Sequence, residues 1–457
     1  MKKISYSVIF VLLAFVLRLF SLRQSLWLDE ATTALVARDP NSFVHFISGD
    51  FHPPLYYIFM QQWVKVFGSS EIALRMPSVL FGAATVYVVY RIGRRVADET
   101  TALIAALLMA TAPLHIYYSQ EARMYALSTL LVSLLVFVFL VLTAKKPKIL
   151  AWLVFAALLP LVFLTDYLPM LIVPVLWVAA FVKHPKSAWW KKFVLAHIPL
   201  VLVFILWYPT FQTQIASGVG VVSSGSPWSQ ILGTLNAKNV ALIPVKFMIG
   251  RINFVPQVVY ALVVLVFGGI CAHLLSATRG KKMKEIWLWL VVPIGLGVFV
   301  SGFVPVLSYF RFLFVLPAWY LLLAYGLGKM SEVKFFPLLV VVLLFNIWST
   351  ARYLTTYTFW REDWRWLVSD MQKTATVPTA IVLPSTSQQE AIRYYWIDAP
   401  IESADLLPSE ITAVWYIPYV EDITDPTRST QATLTELGFR EVTRGSYNGV
   451  TGIYLMR

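Results

Sequence analysis

Residues 4–30 read ISYSVIFVLLAFVLRLFSLRQSLWLDE, an apolar run at 4–22 that leads into two adjacent carboxylates, Asp29 and Glu30. A run of this kind is long enough to cross a hydrocarbon core of about 30 Å as a helix. Two carboxylates at the mouth of a membrane helix are costly unless solvated, so they point to a site on the non-cytoplasmic surface. Lys2 and Lys3 ahead of the run resemble the start of a signal peptide, but no small-residue cleavage site follows and Arg18 interrupts its end. The segment reads as a retained first helix.

The same character repeats along the chain. Apolar runs follow at 72–92, 101–117, 124–143, 149–165, 168–182, 194–211, 255–277, 286–304, 308–328 and 335–350, eleven in all, with ten or twelve reached by re-cutting around Asp166 and Pro305. Composition agrees: 58% hydrophobic, 13% charged and a mean hydropathy of +0.70 are far from soluble domains. Eighteen Lys and Arg fall in alternate connections, among them Arg91, Arg94, Arg95, Lys183, Lys282 and Lys329. With the N-terminus inside, all of these lie on the cytoplasmic face.

Near residue 351 the apolar runs stop. Trp360-Arg-Glu-Asp-Trp-Arg365 opens an amphipathic helix, 379–384 and 412–418 read as strands, and 438–456 as a hairpin around Gly445-Ser-Tyr-Asn-Gly449. The fold class is an α-helical polytopic membrane protein with about eleven transmembrane helices and a small C-terminal α/β domain. Residues 1–350 form the membrane part, with outer loops 23–71 and 212–254; residues 351–457 form the extracytoplasmic domain. The formal charge of +13 comes from residues 1–350, because residues 351–457 carry nine basic and thirteen acidic groups. The inner loops thus account for the basic balance without nucleic acid as a partner. The single cysteine, Cys271, excludes an intrachain disulfide.

Polar groups collect at three outer places: loop 23–71, the turn 115–125, and the helix ends near 166 and 309–311. Leu26-Trp-Leu-Asp-Glu-Ala31, His52-Pro-Pro-Leu-Tyr-Tyr57, Glu71-Ile-Ala-Leu-Arg-Met-Pro77 and Ser119-Gln-Glu-Ala-Arg-Met-Tyr125 resemble the GT-C glycosyltransferases, in their protein O-mannosyltransferase and aminoarabinose transferase branch. The resemblance covers residues 1 to about 145, and Tyr309-Phe-Arg311 with Pro317 is similar to the late helix of that branch. It implies an inverting membrane enzyme that moves a sugar from a polyprenyl-phosphate carrier to an acceptor at the extracytoplasmic face of the cell membrane. By position in the motif its acidic residue is Asp29, with Glu30 beside it.

The chemistry is consistent with that role. Inversion needs a carboxylate that accepts the acceptor's proton while the phosphate departs from the opposite face. The phosphate needs positive charge, and a guanidinium fork supplies it: Arg123 first, then Arg75 and Arg311. His52, Glu121 and Asp166 are further polar candidates, and Tyr56, Tyr57 and Tyr125 are candidate sugar-stacking rings.

Each residue also has a plainer reading. Asp-Glu after an apolar helix serves as a solvated cap, and Glu30 alternatively pairs with an arginine to hold the loop. Glu121 and Arg123 fit structural ion pairs, Asp166 a polar turn, the tyrosines an interfacial belt. Convergence of Asp29, His52 and Glu121 would offer a divalent cation site, although the spacing carries no local chelate signature. The loop 212–254, with the flexible Ser223-Ser-Gly-Ser-Pro227, reads as a lid over the lipid carrier or acceptor. The rival functions are a transporter or flippase, which would place ionisable groups near helix midpoints, and a ligase acting on pyrophosphate-linked glycan.

Overall fold

The computed structural model describes residues 6–39, 41, 43, 51–144, 146–183, 187–223, 233–254, 256–374 and 377–457. Every apolar run becomes helical. Among the described residues seven helices are long and apolar enough to cross a membrane, and four shorter apolar ones, Tyr6–Leu19, Glu99–Ala110, Ile149–Thr165 and Leu168–Lys183, complete the eleven. Those at the centre differ from those at the rim. Tyr309–Leu327 is 89% buried within the protein, whereas Ala188–Ser217 is 11% buried and turns its apolar side chains outward.

Proline and polar caps set the boundaries. The run expected as one helix over 101–117 breaks at Thr111, because Pro113 has no N–H to continue the ladder and instead opens a new helix, Pro113–Tyr118. Pro169 likewise stands in the first turn of the 3₁₀ helix Leu168–Leu171, and Pro317 in the first turn of Leu316–Leu327, which follows the 3₁₀ segment Tyr309–Val315. Asp98 and Ser70 cap the helices Glu99–Ala110 and Glu71–Val96 by accepting from the N–H groups of Thr101 and Ala73.

The two stretches expected as outer loops are largely helical. Residues 23–71 contain Leu28–Arg38 and Leu55–Phe67. In 212–254 the helix Ile198–Ser223 runs on past 211, and Ala237–Ile249 follows behind the Asn236 cap. The polar residues Gln212, Thr213 and Gln214 that ended the apolar run do not end the helix, since their backbone bonds continue within it. Of the expected lid, residues 224–232 lie outside the described residues.

Helix Glu332–Thr355 delivers the chain to the C-terminal part, where Trp364–Thr374 packs on a sheet. Five strands are described, β1 Thr379–Val382, β2 Ile401–Glu402, β3 Ala413–Tyr416, β4 Arg440–Tyr447 and β5 Val450–Met456, in the order β2-β1-β3-β5-β4. β1 is parallel to β2 and β3, while β5 is antiparallel to β3 and β4. The hairpin pairs Tyr447 with Val450 across Asn448-Gly449, and Gly449 takes the positive φ of 73° that a two-residue turn demands.

Candidate functional site

Asp29 and Glu30 lie in the first turn of Leu28–Arg38, where the helix dipole favours carboxylates. Successive helical residues point about 100° apart, so the two cannot face the same way. Glu30 turns inward and is fully buried; Asp29 turns outward with its side chain 39% exposed.

The buried half is a closed ion network. Glu30 accepts from Arg75 Nε at 2.8 Å and Nη2 at 2.5 Å, and from the Ala122 backbone N–H at 2.8 Å. Arg75 spends its other donors on the carbonyls of Leu22, Gln24 and Ser25. Its five N–H groups are therefore all committed. Arg361, from the C-terminal part, adds Nε 3.3 Å from Glu30 and Nη2 3.4 Å from Glu121. Burial alone would raise the Glu30 carboxyl, but Arg75 and Arg361 hold it below its ordinary range. Glu121 is raised to about 7 because burial outweighs the attraction of Arg361.

These contacts go with the plainer readings of the residues. Glu30, expected as a second catalytic carboxylate, is fully buried and paired with Arg75 and Arg361. Arg75, expected as a phosphate contact, has every N–H bonded within the protein. Tyr56 and Tyr57 are each 1% exposed and meet edge to face, so neither ring presents a face to a sugar; Tyr57 instead accepts from Arg123 Nη1 at 3.1 Å.

The open half starts at Arg123. It occupies the turn before Tyr125–Leu142, and the Ala122 bond to Glu30 fixes that turn against the Asp29 helix. As a result Arg123 Nη2 lies 3.7 Å from Asp29 Oδ2, the arginine side chain 5% exposed. Two residues on, Tyr125 lines a cavity of about 230 Å³ together with His52, Asp166 and Arg311. Leu171, Phe211 and Val304 make its other walls apolar. Asp166 ends the Ile149–Thr165 helix, accepts from the Leu168 N–H at 3.4 Å and is raised by burial, with His52 and Arg311 opposing. Arg311 donates to the Pro305 carbonyl at 3.2 Å.

Asp29, His52 and Glu121 do not converge. Glu121 faces Arg361, and among the described residues no three His, Cys, Asp or Glu side chains form a cation cluster.

Sequence reasoning missed Arg361, Arg251 and Gln214. Arg361 and Arg251 both approach the Tyr117 ring, each 4.7 Å from its centroid, and Arg251 Nη1 donates to the Tyr117 hydroxyl at 3.0 Å. Gln214 accepts from the Tyr167 hydroxyl at 2.6 Å and donates to the His52 carbonyl at 3.2 Å. A signal existed for Arg361 in the charged run 360–365, but its partners are some 240 and 330 positions away in sequence.

Comparison with known proteins bears on the fold that holds these residues. Residues 51–211 match the family described as dolichyl-phosphate-mannose-protein mannosyltransferase. The chain superposes on ArnT from Cupriavidus metallidurans bound to undecaprenyl phosphate with a TM-score of 0.63, at 14% identity, over 98% of this chain and 97% of that one. It superposes on the oligosaccharyltransferase AglB from Archaeoglobus fulgidus, in complex with an inhibitory peptide and a dolichol-phosphate, with a TM-score of 0.56 at 12% identity, over 98% and 73%. No curated protein matches the sequence. The chain is an integral membrane protein that shares the GT-C fold of these structures, and its residues 51–211 are similar to the dolichyl-phosphate-mannose-protein mannosyltransferase family.

Proposed function

We propose that the chain is a membrane glycosyltransferase that transfers a sugar from a polyprenyl-phosphate carrier to an acceptor hydroxyl at the extracytoplasmic face, with inversion. The observation that carries this reading is the Asp29–Arg123 pair, an accessible carboxylate 3.7 Å from a nearly buried guanidinium and next to a largely apolar cavity. Asp29 accepts the hydroxyl proton as the acceptor oxygen bonds to the anomeric carbon. The C–O bond to phosphate breaks on the opposite face, its electron pair leaves with the phosphate, and Arg123 stabilises the charge that develops, with Arg311 a second cation across the cavity. The apolar walls suit the first isoprene units of the carrier. The carriers named for ArnT and AglB, undecaprenyl phosphate and dolichol-phosphate, support a donor of this class.

The orientation in this reading puts the N-terminus in the cytoplasm and residues 351–457 outside. Arg94, Arg95, Lys183 and Lys282 support it, since these cations of three separate connections line one cavity, as connections on one membrane face must. The test uses purified protein with a radiolabelled polyprenyl-phosphate sugar, following release of label to water or to an acceptor extract. Release in the wild type and its loss in Asp29→Asn is the expected result. Folded protein that turns over no carrier overturns the reading and brings the transporter forward.

A further inference from the structure

A second cavity, of about 350 Å³, opens at the seam between residues 23–25 and the start of the C-terminal part. It shares no lining residue with the cavity of His52 and Asp166. Between the two stands the ion network, for Arg361 lines this seam and also contacts Glu30 and Glu121.

The seam offers a mixed set of groups. Trp366 and Tyr357 are 58% and 48% exposed, and Trp360 and Tyr447 stand with them. Gln24, 5% exposed, accepts from the Arg361 backbone N–H at 3.1 Å, yet its own amide nitrogen is buried without an acceptor. A buried donor in that state is costly unless a ligand completes it. Acceptors stand on the other side: Asp363 takes the Tyr357 hydroxyl at 3.1 Å and Asp370 the Tyr447 hydroxyl at 2.8 Å, each carboxylate retaining lone pairs. Donors and acceptors thus alternate among open aromatic faces. A sugar ring has hydroxyls that both donate and accept, and C–H faces that stack on indole. Arg23, Arg361 and Arg365 also line the seam, but Arg361 is paired with Glu30 and Glu121 and Arg365 with Glu71, so a phosphate drawn to Arg23 would still have to approach two carboxylates.

We propose that this seam binds a neutral sugar unit of the acceptor, at a distance from the hydroxyl that reacts. The proposal rests on the reading that the chain glycosylates a hydroxyl acceptor, and it makes that acceptor a glycan or glycolipid. The donor sugar belongs beside Asp29 and Arg123, on the other side of the Glu30–Arg361 network. Ser25 lines the seam four residues before Asp29, so occupancy there bears on the catalytic loop, and binding energy gained at a remote unit serves the reacting one.

Saturation-transfer NMR on the full chain in lipid nanodiscs tests this, since maltoside detergents would themselves compete. The probes are methyl glycosides and trisaccharides of mannose, glucose, galactose, N-acetylglucosamine and arabinose. Transfer to at least one trisaccharide is expected, with affinity falling about tenfold in Trp366→Ala and in Arg23→Ala, both exposed positions whose change spares the core. Transfer to no probe, or transfer unchanged in both variants, overturns the proposal. So does a co-purifying anionic phospholipid lost in those variants while no sugar binds, which would make the seam a lipid headgroup site. Label release from the donor is measured on the same preparation. Saccharide binding without release leaves a saccharide site at the seam but removes the donor reading and with it the acceptor role, and release without saccharide binding sinks this proposal alone.

Discussion

Asp29 and Glu30 are neighbours in sequence and opposites in environment: one stands 39% exposed and 3.7 Å from Arg123, the other is fully buried against Arg75 at 2.5 Å. The pair therefore sets an open carboxylate beside a sealed one within a single helical turn, and substitutions at the two positions should fail in different ways.

Asp29→Asn keeps the shape and removes the proton acceptor. Transfer should drop by roughly 10²–10⁴-fold while the thermal unfolding midpoint stays near that of the wild type. A variant with substantial turnover would remove Asp29 from the base role.

Glu30→Gln should leave Arg75 and Arg361 facing each other without their shared counter-charge. Breaking a buried pair in this way costs about 3–5 kcal/mol, so the expected signature is a lowered unfolding midpoint and poor recovery from membranes. Normal stability combined with lost transfer would return Glu30 to the catalytic group.

For Arg123→Ala the expected loss is in carrier affinity, about 10–100-fold for a polyprenyl-phosphate analogue by direct titration, the worth of a charge-assisted contact. Arg123→Lys should recover part of it. Equal affinity in the alanine variant would mark the arginine as structural.

The Glu121 carboxyl, raised to about 7 from an ordinary 4.5, gives a pH dependence of definite sign. Because its folded value lies above the unfolded one, the protonated form favours the folded state. That contribution is complete below about 4.5 and is lost as pH rises through 7. The unfolding midpoint should fall between pH 5 and pH 7.5, and less so in Glu121→Gln. Parallel pH profiles for the two proteins would contradict the assignment.

Tyr395 joins the C-terminal part to the catalytic loop, its hydroxyl donating to Glu71 at 2.7 Å and accepting from the Leu26 N–H at 2.8 Å. Tyr395→Phe leaves that N–H unpaired, at a cost of about 1–3 kcal/mol. Hydrogen exchange over residues 23–30 should quicken, and transfer should fall with Asp29 still present. Unchanged exchange there would mean that the loop holds without the tether.

Much of this was legible in the sequence because the signals are local. Eleven apolar runs need only a count of residues against membrane thickness, and Asn448-Gly449 flanked by alternating residues specifies its own turn. The helix extension beyond residue 211 was hidden by polar side chains that say nothing about backbone bonding, and β2, two residues long, has no pattern to read. The motifs located Asp29 and Arg123. They put Arg123 ahead of Arg75 but could not show that Glu30 and Arg75 are buried, because exposure is decided by partners such as Arg361 that come from the far end of the chain.

That dependence has a consequence for biogenesis. Until residue 361 has been synthesised, Glu30 and Glu121 have, among the described residues, Arg75 as the one cation directly paired with either, and the loop has an electrostatic reason to stay open to water. The late arrival of one guanidinium then sets an order on assembly: a nascent chain can insert its helices, yet it completes this ion network only once Arg361 has been made.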